Sequence, residues 1–163
     1  MAAPVFGAEM RAAVLTAGAA CRQQRCALSL LLVEIDRFDL LASVRGPRFA
    51  RQLSRIVRAA CQGLNHRGAT TISLDQLRSA VVLPNCERSH AVHYGELLVR
   101  TAPALFGPNE SGADPEVTLS VGAATLTLPP KNFTPDDLLE RTERCLYAAR
   151  ASGGNSLKSI EII

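Results

Sequence analysis

Two acidic side chains, Glu34 and Asp36, end the most apolar stretch of this sequence. The run from Ala27 to Asp36 (ALSLLLVEID) is apolar on both of its faces, which is typical of a central strand covered on both sides. Because α/β proteins place their chemistry beyond strand ends, these carboxylates are candidates for a binding or catalytic site. The alternative interpretation is that they are solvated acids at the end of a strand.

A second candidate group consists of Cys86, His90 and His93, which are spaced as one stripe of a predicted helix. A thiolate and two imidazoles at this spacing could hold zinc or copper. A competing apolar stripe of the same helix is formed by Ala91, Val92, Gly95 and Leu98. Since that stripe fits the buried face, we expect an exposed histidine pair rather than a metal site.

Composition excludes several classes of function. The chain has 163 residues, a formal charge of +3 and 4% aromatic residues, which predicts one domain and does not indicate nucleic-acid binding. Its five cysteines form no CxxC pair, so we expect reduced thiols rather than a disulfide framework or a zinc ribbon. The sequence has neither a signal-peptide pattern nor an apolar run of membrane-spanning length. We expect a cytoplasmic protein without a membrane partner.

Hydrophobic periodicity predicts the element order α, then βαββαβ, then αβ. The predicted helices are Val5–Arg25, one containing Phe49–Ala60, Glu87–Ala102 and Thr134–Ser152. The predicted strands are Ala27–Asp36, Thr70–Leu74, Leu77–Leu83, Glu116–Leu126 and Leu157–Ile163, with a loop at Ser111–Pro115. This order predicts an α/β fold of the α+β sandwich type. Its ferredoxin-like core would carry a mainly antiparallel sheet flanked by helices, in a single domain over residues 1–163.

Four segments in this order resemble the GGDEF family, whose active members condense two GTP molecules into cyclic di-GMP. They are LLVEIDRF at Leu31–Phe38, VVLP at Val81–Pro84, VTLSVGAATL at Val117–Leu126 and LLERTERCLYAARASGGN at Leu138–Asn155. The family's corresponding patterns are LLLDIDxFK, the strand after its signature hairpin, VTxSIGxA and LLxRADxALYxAKxxGRN. The alternative is another ferredoxin-like domain, such as a class III cyclase core or an RNA-binding palm.

The resemblance implies a metal site at the end of the first strand. Glu34 stands where the family has its first metal-binding Asp, and Asp36 stands at the second Asp. Glutamate is still a hard oxygen ligand, but it is one methylene longer, and Mg²⁺ demands near-ideal octahedral geometry. Cyclisation of GTP is a phosphoryl transfer in which metal ions stabilise the developing charge.

The signature hairpin lies within Thr71–Pro84 (TISLDQLRSAVVLP), and two alignments of it are open. Without a gap, the signature falls on Asp75, Gln76, Leu77, Arg78 and Ser79, and neither acid is kept. With a two-residue insertion, it falls on Ser73, Leu74, Asp75, Gln76 and Leu77. Asp75 would then be the metal acid, while Gln76 replaces the catalytic Glu. We favour the second alignment because it places Asp75 at the metal acid and the apolar Leu77 at the family's Phe. In either alignment, other residues replace the two glycines that let the backbone approach the nucleotide.

The implied nucleotide contacts are also incomplete. The two guanine-binding positions fall on Ala42 and Arg51, which cannot read a guanine edge as Asn and Asp would. Arg150 replaces the family's phosphate-binding Lys and can still hold phosphate. In the terminal GRN pattern, Gly154 replaces Arg while Asn155 is retained. The product-binding RxxD motif is missing from residues 64–69 (LNHRGA), so we do not expect cyclic di-GMP to bind.

These losses favour a catalytically inactive regulatory or protein-interaction module in bacterial signalling. We expect a protein partner or a homodimer, and no cofactor unless a residual site binds nucleotide together with Mg²⁺. The residual site would consist of Glu34 and Asp75 for metal, and Arg150 and Asn155 for nucleotide. Two alternatives are a nucleotide-binding sensor and a weakly active diguanylate cyclase.

Overall fold

The computed structural model describes residues 6–105 and 116–163, so the predicted loop Ser111–Pro115 lies outside the described residues. The helices are α1 (Ala8–Gln24), α2 (Phe38–Arg45), α3 (Pro47–Gln62), α4 (Arg88–Thr101) and α5 (Pro135–Ala151), and a short 3₁₀ helix follows α4 at Ala102–Ala104. The strands are β1 (Leu28–Ile35), β2 (Thr70–Ser73), β3 (Arg78–Pro84), β4 (Leu119–Leu126) and β5 (Ser156–Ile162).

The five strands form one sheet in the order β2-β3-β1-β4-β5. Strand β1 lies in the middle, antiparallel to β3 and β4, and β5 adds to the edge in parallel with β4. All eight residues of β1 are buried, which explains why its sequence is apolar throughout. The predicted α/β fold with a mainly antiparallel, ferredoxin-like sheet is confirmed.

Helices cover both faces of the sheet. On one face, α3 and α4 pack Leu53 and Leu98 against a core that includes Leu31 and Val33 of β1. On the other face, α1 and α5 pack against the alternate β1 residues, including Leu30 and Leu32. Because successive strand residues point to opposite faces, this central strand supplies both cores. The first helix therefore packs on its own sheet.

Helix α2 was not predicted. It is only eight residues long and buries Phe38 and Leu41, while Leu40 and Val44 stay exposed. So short an element gives the hydrophobic period little length in which to appear. Gly46 then adopts a φ of +90° before Pro47 begins α3, which separates the two helices. Helix α2 begins two residues after Asp36, so it lies next to that candidate carboxylate.

The three residues of the Cys86, His90 and His93 stripe differ in exposure. Cys86 is buried ahead of α4, whereas His90 and His93 are exposed on that helix. Within residues 6–105 and 116–163, no group of three His, Cys, Asp or Glu side chains is placed to hold a metal ion. No helix in those ranges is long and apolar enough to cross a membrane.

All five thiols are free, and they differ in access to solvent. Cys61 is 1% exposed and burial raises its pKa to about 12, whereas Cys26 is partly exposed. Because thiolates are the reactive form, we expect brief iodoacetamide treatment of the native protein to modify Cys26 first and to leave Cys61 unmodified. Peptide mass spectrometry checks this order, and labelling in urea should make all five thiols equivalent. Early modification of Cys61 would contradict the burial of its thiol between α3 and the sheet.

Candidate functional site

Glu34 is a buried acid at the end of β1. Its side chain is 7% exposed, and its Oε2 lies 2.8 Å from Nε of Arg150 on α5. Its Oε1 lies 3.7 Å from Nε of Arg78, the first residue of β3. Burial raises the pKa of the Glu34 carboxyl, while Arg150 and Arg78 act to lower it. The interpretation of Glu34 as a solvated acid is therefore wrong.

Asp36 follows β1 and is held by hydrogen bonds from two other elements. Its Oδ1 accepts from the Ser120 hydroxyl at 2.6 Å, and its Oδ2 accepts from the Thr118 hydroxyl and the Asn155 backbone N–H, both at 2.8 Å. These bonds tie the end of β1 to β4 and to the turn after α5. Asp36 is thus a structural acceptor rather than a solvated acid.

The turn after α5 fits tightly around this carboxylate. Gly154 has a φ of +75°, and a Cβ at this position would lie 2.7 Å from Oδ2 of Asp36. Glycine is the residue that this backbone and this contact accommodate without strain. An Arg at this position, which the family pattern has, would require the Asp36 carboxylate to move.

The hairpin between β2 and β3 is closed by Asp75. Its Oδ1 accepts from the backbone N–H groups of Leu77 at 3.0 Å and Arg78 at 2.8 Å, an arrangement typical of an Asx turn. Its Oδ2 lies 3.1 Å from Nη2 of Arg78. The Ser54 hydroxyl of α3 donates a hydrogen bond to the Gln76 carbonyl, which attaches the hairpin to that helix.

A cleft of about 630 Å³ opens beside these residues. Its lining includes Glu34, Asp36, Arg37, Leu77, Arg150 and the turn at Gly153–Asn155. The structure therefore brings Glu34, Arg150 and Asn155 to one place, as the resemblance implied. Asn155 contributes its backbone N–H, which donates a hydrogen bond to Asp36. Asp75 is not among the residues that line this cleft; its carboxylate is bonded within the hairpin.

These donors do not suit the divalent metal that the resemblance implies. Glu34 has one oxygen paired with Arg150 and the other facing Arg78, and both oxygens of Asp75 are occupied as well. A metal ion needs free oxygen ligands directed at a common point. The charged groups of this site instead pair with one another, with Arg78 and Arg150 beside the acids.

The comparisons with known proteins explain this architecture. A family model described as "Diguanylate cyclase, GGDEF domain" matches residues 10–156. The chain belongs to the GGDEF family. No curated protein sequence matches it. The class III cyclase cores and RNA-binding palms, which share a ferredoxin-like core, are thereby excluded as the family of this chain.

Solved GGDEF domains share its fold at low sequence identity. The active GGEEF domain of a Vibrio cholerae diguanylate cyclase superposes with a TM-score of 0.82 at 18% identity, covering 96% of this chain and 97% of that one. The GGDEF domain of DgcB from Caulobacter crescentus, solved with c-di-GMP, gives 0.81 at 17% identity, covering 98% and 94%. Diguanylate cyclase SiaD of Pseudomonas aeruginosa, solved with its activator SiaC, gives 0.75 at 15% identity, covering 94% of this chain and 57% of SiaD.

Sequence reasoning missed the partners of the two acids. Arg78 was noticed only as a replaced signature residue, although β3 pairs it directly with Glu34 in the β1–β3 ladder. Thr118 and Ser120 were treated only as part of a family pattern. A signal was available in their spacing at the start of β4, because side chains two residues apart along an extended chain point to the same face and can share one carboxylate.

Proposed function

We propose that this GGDEF domain is catalytically inactive and acts as a regulatory or protein-interaction module in bacterial signalling. The observation that carries the proposal is the 2.8 Å ion pair between Glu34 and Arg150. The resemblance assigns the first of these groups to metal and the second to phosphate. Paired with each other, they neutralise the charges that would hold a metal–triphosphate complex.

The hairpin supports the same proposal. The β1–β3 ladder continues from Leu28↔Pro84 to Glu34↔Arg78 without a bulge, which favours the ungapped alignment of the signature. In that alignment Arg78 stands at the catalytic Glu, a reversal of charge. Leu77 lines the cleft where the metal acid would stand. Under the gapped alignment, Asp75 would remain the metal acid, but its carboxylate is engaged in the turn.

Guanine recognition is also unsupported by the side chains at the implied positions. Ala42 lies on α2 and offers only a methyl group, and Arg51 is exposed on α3. A site that discriminates through buried hydrogen bonds loses that discrimination when the bonding groups are removed. The proposed domain therefore does not select GTP through these two positions.

We expect no cyclic di-GMP when the purified protein is incubated with GTP and either Mg²⁺ or Mn²⁺. The physical reason is that Glu34 and Arg150, the groups implied to hold the metal and the phosphate, are paired with each other. Chromatography of the reaction mixture checks this, with an active diguanylate cyclase as the positive control. Product that accumulates with this protein and disappears in Glu34→Ala would overturn the proposal and would favour residual cyclase activity.

A nucleotide-binding sensor is the second candidate, and the cleft itself favours it. A volume of about 630 Å³ lies in the range of small-molecule sites, which is roughly 300–1,000 Å³. Arg37 and Arg150 both line it. Calorimetric titration with GTP, ATP and cyclic di-GMP tests this candidate, and heats indistinguishable from dilution for all three would remove it.

The proposed regulatory role calls for a protein partner or a second copy of the domain. Among its structural relatives, SiaD was solved in complex with its activator SiaC. Light scattering coupled to size-exclusion chromatography would distinguish a monomer from a homodimer. If the domain is a monomer at every concentration tested, the proposal requires a different protein as the partner.

A further inference from the structure

The side chain of Arg78 lies between the carboxylate of Glu34, an implied metal position, and that of Asp75 in the hairpin. Its Nη2 and Nε lie 3.1 Å and 3.2 Å from Oδ2 of Asp75, and its Nε lies 3.7 Å from Oε1 of Glu34. The first contact is a charge-assisted hydrogen bond, and the second is an electrostatic contact beyond hydrogen-bonding distance. Its side chain is 28% exposed, so the guanidinium is partly withdrawn from water.

The fold fixes Arg78 in this place. It is the first residue of β3 and the direct partner of Glu34 in the antiparallel ladder. Side chains of such partners lie on the same face with their Cβ atoms about 4.5–5.5 Å apart, so a cation at this position must neighbour Glu34. The Asx turn then directs the second oxygen of Asp75 onto the same guanidinium.

The local charges are balanced without a metal ion. Arg150 neutralises the other oxygen of Glu34, and Arg78 also lowers the pKa of Glu143 on α5, which burial raises. Glu34 therefore lies beside two guanidinium groups, and Asp75 is bonded to one of them. A divalent cation entering this network would meet these two positive charges, and both oxygens of Asp75 already accept hydrogen bonds.

We propose that the guanidinium of Arg78, held in place by Asp75, takes the place of the divalent metal ion that the resemblance implies beside Glu34. The domain consequently folds and keeps this site intact without a divalent cation. This inference deepens the proposed function and rests on it for the assignment of Glu34 as a metal position. It adds a specific role for one residue, an internal counter-charge supplied by the first position of β3.

Thermal unfolding of the full chain without nucleotide tests the inference. We expect the same Tm for the wild-type protein in EDTA and in millimolar Mg²⁺ or Mn²⁺, because no site binds the ion. In Arg78→Met, the acids lose their counter-charge, so the Tm in EDTA should fall by several degrees and Mn²⁺ should recover part of the loss. The recovery should disappear in the double variant Arg78→Met/Asp75→Asn.

Two further variants separate charge from general damage. Arg78→Lys keeps the positive charge and should show no stabilisation by Mn²⁺. Arg55→Met removes an exposed arginine of α3 and should leave both the Tm and the cation response unchanged. If Arg78→Met does not fold, the wild-type and Arg78→Lys measurements still decide the question.

The inference would be overturned if Mg²⁺ or Mn²⁺ stabilised the wild-type protein and this stabilisation were lost in Glu34→Gln. It would also be overturned if Arg78→Met had an unchanged Tm and no response to the cations. Neither outcome requires GTP. If the protein binds the cation but makes no cyclic di-GMP, the inference about Arg78 is wrong and the proposed function stands. If the protein makes cyclic di-GMP, the proposed function is wrong.

Discussion

Gly122→Ala should strongly destabilise the domain, because the added methyl group has no space between β4 and α5. Gly122 lies in the middle of β4, where the backbone of α5 crosses the sheet. A Cβ at this position would overlap the Leu146 backbone N and would lie 2.5 Å from the Thr142 carbonyl oxygen and 2.8 Å from Leu146 Cα. Because these obstacles are backbone atoms of a packed helix, α5 would have to move away from the sheet. We expect a loss of about 3 kcal/mol or more in the free energy of unfolding.

Gly18→Ala is the matched control for this prediction. Gly18 is also buried, and a Cβ there would also be too close to its neighbour, the Phe133 ring, with Cδ1 at 2.7 Å. The obstacle is a side chain that can rotate, and alanine gains about 1 kcal/mol of helix propensity over glycine within α1. We therefore expect a change within about 1 kcal/mol for Gly18→Ala. Urea unfolding followed by circular dichroism measures both variants, and equal losses would contradict the stated role of the α5 backbone.

This contrast shows which part of the fold the sequence could predict. The apolar run of β1 and the pattern of β4 specify positions that are buried on both faces, so hydrophobicity alone identifies them. The Thr134-Pro135-Asp136-Asp137 start of α5 is equally local, with Pro135 in the first turn. The reason why Gly122 must be glycine is not local, since it depends on how closely α5 approaches β4.

The candidate site was predictable only in its outline. Family resemblance identified Glu34, Arg150 and Asn155, and the structure brings all three to the cleft. It could not indicate that Arg150 pairs with Glu34, because that contact joins residues 116 positions apart and depends on the packing of α5 over the sheet. The pairing of Arg78 with Glu34 depends on the length of the hairpin turn, and the two alignments of the sequence left that length open. The assignment of Asp75 to metal and of Arg150 and Asn155 to nucleotide stays a prediction.

The same acids thus divide into two kinds of role. Glu34 belongs to a charged network with Arg78 and Arg150 at the end of β1. Asp36 instead holds three parts of the chain together, since its bonds reach β4 and the turn at Asn155. These bonds fix the end of β1 against the turn after α5, so they contribute to stability independently of any catalytic role.

Asp36→Ala should therefore cost more stability than removal of any exposed acid. The change leaves the Thr118 and Ser120 hydroxyls and the Asn155 N–H without their acceptor, and Thr118 and Ser120 are buried. Unsatisfied buried groups cost about 1–3 kcal/mol each, and since Asp36 is partly exposed and water can replace some of these bonds, we expect a total loss of about 3 kcal/mol.

Two variants make the Asp36 prediction specific. Asp36→Asn keeps one carbonyl acceptor and should lose about half as much, because the two hydroxyls can reorient towards its amide. Asp39→Ala removes an exposed acid from the first turn of α2 and should cost less than about 1 kcal/mol. Hydrogen exchange at the Asn155 amide supplies a local readout, since the turn after α5 should open in Asp36→Ala before the rest of the domain unfolds. Unchanged protection of that amide would show that the turn is held by its own backbone rather than by the carboxylate.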